Sequence, residues 1–488
     1  MSSRASAASR GIPLAITLLL AIPLFAGSQA TATHAALATP SPVATQAGLN
    51  VLKRGGNAID AAIAVAFVLS VVQPRAAGIG GGGFLVYFDA KSGAVWTLDF
   101  REVSPLEAKS DTKLHAATPG FVAGLDAMHA KFGTRAWREL MEPAIALARE
   151  QTKSELASTL TRIADSGANN FYRGAVAEQF ITAVKSGGGA IGHRDLRDYT
   201  ATWRAPIRIR FGDYDIFASA PPSSGGIVIG EALNILGTYD LIASGFQSVK
   251  TLHLLTEAER RASIDERKAV GDPTNARIPY RDLLSTEHAN TSRASIRLDK
   301  VTPTIMLTET TLKATKPRAS ATFAITDTAG NVASMTTSNG GEFVLPGFGF
   351  VLNDAMNDFN DSGINEFASG KRPATACSPA IVLKNGRPYL ALASALPMTS
   401  LQVVINSIVF KKSLYDSVAA ARYEQQAAPD QIEYEESLAP KATIDSLNAM
   451  GHGVFARDSI GDVQALQFDR GRIVAVADPR HGGAAGGF

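Results

Sequence analysis

The fifteen residues AIDAAIAVAFVLSVV, from Ala58 to Val72, are apolar almost all round and are stopped by Pro74. A helix without a polar face is a buried helix. With Asp60 near its start it falls short of the roughly 20 apolar residues of a membrane span. Before it, ATQAGLNVLKRGG predicts a helix closed by a glycine pair. After it, the runs FLVYF and AVWTLDF predict two strands joined by a Lys-Ser-Gly turn. From about Gly120 to Leu254 the patterns are mainly helical, broken by the strand pair in RAPIRIRFGDYDIFASAP and by the turn PPSSGG, Pro221 to Gly226. Residues 255–318 are polar and irregular, and are expected to wrap the surface. A strand from about Ala321 to Thr326, a turn at Asp327 to Asn331 and a second strand through Met335 follow, with the Asp and Gly-Asn chemistry that turns favour. Further strands are predicted at Pro379 to Leu383, Tyr389 to Leu392 and 463–477, and helices near 398–424 and 440–450. Buried helices beside antiparallel hairpins fit an α+β layered sandwich.

The chain has 488 residues, 45% of them hydrophobic, and a formal net charge of +2. Its basic residues form no block and are not interleaved with aromatics, so nucleic acid is not an expected partner. Arg4, Arg10, the apolar run Ile12 to Ala26 and the small residues Ala30-Thr31-Ala32 read as a secretory signal over 1–32, cut after Ala32 or Ala30. The mature chain is then exported, periplasmic or secreted, with no stable membrane insertion. Its single cysteine, Cys377, excludes an internal disulfide and reads as a small buried hydrophobe.

No H-E-x-x-H, cysteine pair or histidine cluster supports a metal site, and no G-x-S-x-G or Walker motif is present. Gly78, Gly80 and Gly83 satisfy G-x-G-x-x-G, but here a helix precedes and a strand follows, the reverse of a dinucleotide fold. Arg101, in DFREVSP, could pair with Asp99 or Glu102, or clamp a substrate carboxylate.

The blocks GNAIDAAIAVAFVLSVVQP, GIGGGGFLVYF, LDFREVSP, TPGFVAGL, PPSSGGIVI, TDTAGNVASMTT, VLNDAMNDF, KRPATACSP and ADPRHGGAAGGF resemble, in order, those of the γ-glutamyltransferase (glutathione hydrolase) family. The resemblance implies a four-layer αββα sandwich of the N-terminal nucleophile hydrolase type, with no cofactor. It implies a precursor that cuts itself into a large part, 33–320, and a small part, 321–488, exposing a hydroxyl whose own α-amine serves as base. A small γ-glutamyl or glutamate-like molecule is the implied partner. By the same resemblance Arg101, Asn339 and Asp358 bind the glutamyl group, Thr337 supports the nucleophile, and Thr375 retains one of a pair of substrate-binding serines, the other being replaced by Ala376.

Counted back from Asp327, the nucleophile position falls on Ala321, which cannot attack. The glycine pair expected to form the oxyanion hole is also missing from LALASALPMTS. Two readings stay open: a family member with impaired or lost γ-glutamyl transfer, or an active hydrolase or transferase using Thr322 or Ser320, cut beside Ala321. Strand alternation would turn both flanking hydroxyls away from a site centred on Ala321.

Overall fold

The computed structural model describes residues 28–109, 111–310, 312 and 319–488. Along the strand Ser320–Thr326 side chains alternate between two environments. Ala321, Phe323 and Ile325 enter an apolar cluster shared with the buried helix Ala58–Val72, whereas Ala324 packs with Val86, Ile381, Ala391 and Leu466 between two sheets. That alternation, repeated strand by strand, generates the layers.

One sheet runs in the order Ala484–Gly487, Ala36–Thr39, Ser320–Thr326, Val332–Ser338, Gly82–Asp89, Ala94–Asp99, Thr202–Arg204. The other runs Gln29–Ala32, Arg472–Ala477, Val463–Asp469, Arg387–Ser394, Ala380–Lys384, Tyr214–Ala218, Ile207–Phe211. All pairings within both are antiparallel. Helices Ala58–Val72, Phe121–Phe132, Trp137–Glu150 and Ser154–Arg173 cover the outer face of the first. Helices Gly225–Leu236, Val249–Ala269 and Pro397–Ile408 cover the second. The result is the αββα sandwich expected from the sequence. Among the described residues no helix is long and apolar enough to cross a membrane.

The segment 255–318 departs from its irregular reading. It continues the helix Val249–Ala269 and adds the helices Tyr280–Leu283 and Thr286–Ala294. The long helix sends Leu252, Leu255, Ala258 and Ala262 into the core and also buries Glu257, Arg260 and Arg261 as ion pairs, Glu257 with Arg261 at 2.8 Å, so its charged residues mask the apolar periodicity that signals a packed helix. Most of the expected signal segment, residues 1–27, lies outside the described residues. Its last residues do not: Gln29–Ala32 is an edge strand paired with Ile473 to Val476.

A small third sheet, Tyr423–Glu424 with Ile432–Glu435 and Val454–Arg457, buries Glu424. Burial, with Glu433 nearby, pushes the Glu424 carboxyl up from 4.5 to about 7. Between those pH values the folded chain keeps a proton that the unfolded chain has released, so stability falls as pH rises through this window and is then level. Glu424→Gln is expected to match the parent near pH 4 and to exceed it at pH 8 by up to about 3 kcal/mol, read from urea unfolding at the two pH values.

Candidate active site

The hairpin carrying the candidate nucleophiles is fixed at its turn. Asp327 Oδ1 accepts from the N–H groups of Ala329 (2.9 Å) and Asn331 (3.0 Å), and Oδ2 accepts from Asn331 Nδ2 and from the N–H of Ala58, both at 2.8 Å. One buried carboxylate thus ties the turn to the first turn of the central helix. Asp327→Ala orphans these donors and is expected to cost about 2–4 kcal/mol by denaturant unfolding.

From that turn the register places Ser320 opposite Ser338, Ala321 opposite Thr337 and Thr322 opposite Thr336. On the next strand Gly82 lies opposite Ser338 and Gly83 opposite Thr337. Alternation therefore separates two rows. Ala321, Thr337 and Gly83 face the helices, with Ala321 fully buried in the apolar cluster and Thr337 Oγ1 donating to the Ala321 carbonyl at 3.2 Å. Ser320, Ser338 and Gly82 face the other sheet, as do Thr322 and Thr336.

Gly82 supplies room in the second row: a Cβ there would stand 2.9 Å from Glu102 Oε2 and 2.5 Å from the Phe100 carbonyl. The carboxylate of Glu102 therefore sits at the end of the row that Ser320 begins, two strand spacings or about 10 Å away. Glu102 pairs with Arg101 at 2.7 Å, and Arg101 also pairs with Asp358 from the loop over the site and donates Nε–H to the Pro373 carbonyl at 3.3 Å. Arg101 is fully buried; burial alone would lower its pKa, but Glu102 and Asp358 more than offset that and raise it. Asp99 does not pair with the Arg101 side chain. It accepts from the Arg101 N–H (2.9 Å) and binds the guanidinium of Arg204 (2.8 Å).

Of the residues expected from the resemblance, Arg101 and Asp358 are brought together. Asn339 follows the second strand and donates Nδ2–H to the carbonyls of Pro74 (2.8 Å) and Val351 (3.0 Å). Thr375 lies against the PPSSGG turn: its carbonyl accepts from the N–H (2.8 Å) and hydroxyl (3.2 Å) of Ser224, while Ser223 Oγ–H donates to the Cys377 carbonyl at 2.6 Å. The turn therefore packs against the Thr375 block, and Cys377 is buried.

The three neighbouring hydroxyl candidates differ in access. Ser320 is partly exposed and follows the exposed Ala319. Thr322 is fully buried, and its hydroxyl has no hydrogen-bond partner among the described residues. Ser338 is buried beside Ser320, with its hydroxyl likewise unpartnered there. Ser338 and Gly82 join this row only through the folded register, although counting across the Asp327 turn places Ser338 opposite Ser320.

On the facing sheet, Ser334 Oγ–H donates to the Leu392 carbonyl at 2.7 Å and Thr336 Oγ1–H to that of Ser394 at 3.5 Å. The strand Arg387–Ser394 ends there, and the helix Pro397–Ile408 begins three residues further on. Its first-turn N–H groups, those of Met398 and Thr399, have no carbonyl four residues back within the helix and make that end electropositive.

An αββα sandwich with a serine at the start of a central strand, beside a buried arginine-carboxylate cluster, has the frame of an N-terminal nucleophile hydrolase. A sequence profile described as Gamma-glutamyltranspeptidase matches residues 44–153 and 151–488, and the chain belongs to that family. It is 30% identical to the glutathione hydrolase proenzyme of Escherichia coli strain K12, over 91% of this chain and 90% of that one. It is 31% identical to the proenzyme of the same description from Pseudomonas aeruginosa, over 95% and 97%. Among solved structures, the cephalosporin acylase from Bacillus halodurans superposes with a TM-score of 0.83 at 25% identity, covering 94% of this chain and 97% of that one.

Proposed function

We propose that this protein is an exported, self-processing amide hydrolase or acyltransferase acting on γ-glutamyl compounds, with Ser320 as its N-terminal nucleophile. The observation that carries the assignment is the row Ser320, Ser338, Gly82, which ends at the Glu102–Arg101–Asp358 cluster and shares one face of the sheet. Ala321 faces the opposite, apolar side.

In this reading Ser320 Oγ attacks the carbonyl of Ala319. The Ala319–Ser320 amide becomes an ester, and water cleaves the ester to leave a carboxylate on Ala319 and a free α-amine on Ser320. That amine then takes the proton from Ser320 Oγ as the oxygen attacks a substrate amide. The substrate C–N bond then breaks, the α-ammonium returning its proton to the departing amine; the acyl-enzyme passes to water or to an acceptor amine, and the N–H groups at the start of the helix Pro397–Ile408 offset the oxyanion. Donors of this kind are backbone groups, so the absent glycine pair removes flexibility and leaves the hydrogen-bonding capacity in place. One guanidinium against two carboxylates gives the cluster a net charge of −1, suited to a glutamyl group whose carboxylate meets Arg101 and whose ammonium meets Asp358. Thr375 lines the substrate side, and Asn339 holds the loop before Val351.

The Ser28 carbonyl accepts from the Ala477 N–H at 2.6 Å, and Gln29–Ala32 completes a sheet, so we place signal cleavage before Ser28. The second reading, lost activity, is favoured by Ala321 lying opposite Thr337 and by Ala376. Intact-mass and N-terminal analysis of the exported protein tests both. Two chains are expected, the larger starting upstream of Gln29 and the smaller at Ser320. A single uncut chain that hydrolyses no γ-glutamyl anilide would establish the second reading.

A further inference from the structure

Away from the candidate active site, three helices bring two carboxylates and an imidazole to one point. Glu231 comes from Gly225–Leu236, Asp265 from Val249–Ala269 and His288 from Thr286–Ala294. His288 Nε2 lies 3.2 Å from Glu231 Oε1 and 3.0 Å from Asp265 Oδ2, and one donor atom from each residue falls within 4.8 Å of the others. The Glu231 side chain is fully buried, and its Oε2 has no hydrogen-bond partner among the described residues. His288 and Asp265 are about a quarter exposed, at 28% and 25%, so the point opens to water on one side.

We propose that Glu231, Asp265 and His288 form a binding site for a first-row divalent transition-metal ion, with water completing its shell. Metal–ligand bonds of about 2.0–2.2 Å to oxygen and imidazole nitrogen set ligand–ligand edges of about 2.8–3.6 Å between octahedral and tetrahedral geometry. The two separations from His288 Nε2, 3.2 and 3.0 Å, lie in that range. Imidazole with carboxylates suits zinc, cobalt or manganese better than calcium or magnesium. A buried carboxylate with an unused oxygen is costly unless a cation or proton meets it, which explains a glutamate inside an otherwise apolar helix face. The scaffold is already set: Arg293 donates to the carbonyls of Ile235 (3.0 Å) and Asn234 (2.8 Å), Asn234 donates to that of Leu284 (2.9 Å), and Ser285 caps the helix bearing His288. Because Gly225–Leu236 starts at Ser224, which holds the Thr375 carbonyl, a bound ion would pin three helices behind the substrate-binding block.

The test uses the full exported chain, stripped with chelator and desalted, titrated with Zn²⁺ and separately with Mn²⁺ by calorimetry at pH 7.5, with Co²⁺ absorption as a second readout. One ion per chain is expected, with a raised Tm and at least 100-fold weaker binding in Glu231→Gln and in His288→Gln. His288→Gln is the partly exposed, fold-preserving variant, and native circular dichroism is required of each. No binding by the parent chain, or binding unchanged in a folded His288→Gln, would overturn the proposal.

Discussion

Ser320→Ala is expected to leave the chain whole and to lower hydrolysis of a γ-glutamyl anilide by at least ~10⁴-fold, the scale on which removal of an attacking hydroxyl acts. The two effects have one cause. The oxygen that opens the Ala319–Ser320 bond is the oxygen that attacks substrate, and without the first event no α-amine exists to serve as base. Two companion variants separate this reading from loss of function. Ser320→Thr keeps a hydroxyl on the face shared with Ser338 and Glu102, and should still cut itself. Ala321→Thr puts a hydroxyl into the apolar cluster beneath the helix Ala58–Val72, where Ala321 is fully buried, and should gain nothing while losing about 1–3 kcal/mol of stability. Mass spectrometry of the purified chains reads processing directly. A cut chain from Ser320→Ala, or processing that appears only on adding Ala321→Thr, would move the nucleophile off Ser320.

The layers were legible in the sequence because two periodicities carried them. The run Ala58 to Val72 has no polar face and must be buried, and the alternation through Phe323, Ala324 and Ile325 must be a strand covered on both sides. The Asp327 turn was legible for the same local reason. What stayed hidden was which way the strand's first residues point. Alternation gives two faces but does not name the one holding the chemistry. In the proposed reading that depends on Gly82, hundreds of residues away, pairing with Ser338 and leaving room for Glu102 beyond it. Sequence offset alone puts the nucleophile position on Ala321, whereas the nucleophile we propose is Ser320, one residue away on the opposite face of the strand. The helix Val249–Ala269 was hidden for a different reason. Its buried stretch carries Leu252, Leu255, Ala258 and Ala262 but also Glu257, Arg260 and Arg261, whose mutual pairing lets charge be buried beside them, so a charged sequence conceals a packed helix.

Arg101→Met is the second large effect, and it should appear in folding as well as binding. The fully buried guanidinium is paired with both Glu102, which is also fully buried, and Asp358, whose side chain is 18% exposed. Removing one partner of such a cluster leaves carboxylates with no cation to offset their desolvation, at a cost of about 3–5 kcal/mol. Denaturant unfolding at neutral pH measures this, and a loss of under about 1 kcal/mol would mean that Arg101 is not needed to offset the two carboxylates. Arg101→Met with Glu102→Gln should recover part of the stability, since one orphaned charge goes with its partner. It should recover none of the binding: calorimetric titration of the parent with glutamate should give heat that both variants lack, because the α-carboxylate then meets no cation. Equal glutamate binding by the parent and a folded Arg101→Met chain would confine Arg101 to the core and assign recognition of the acyl group to other residues.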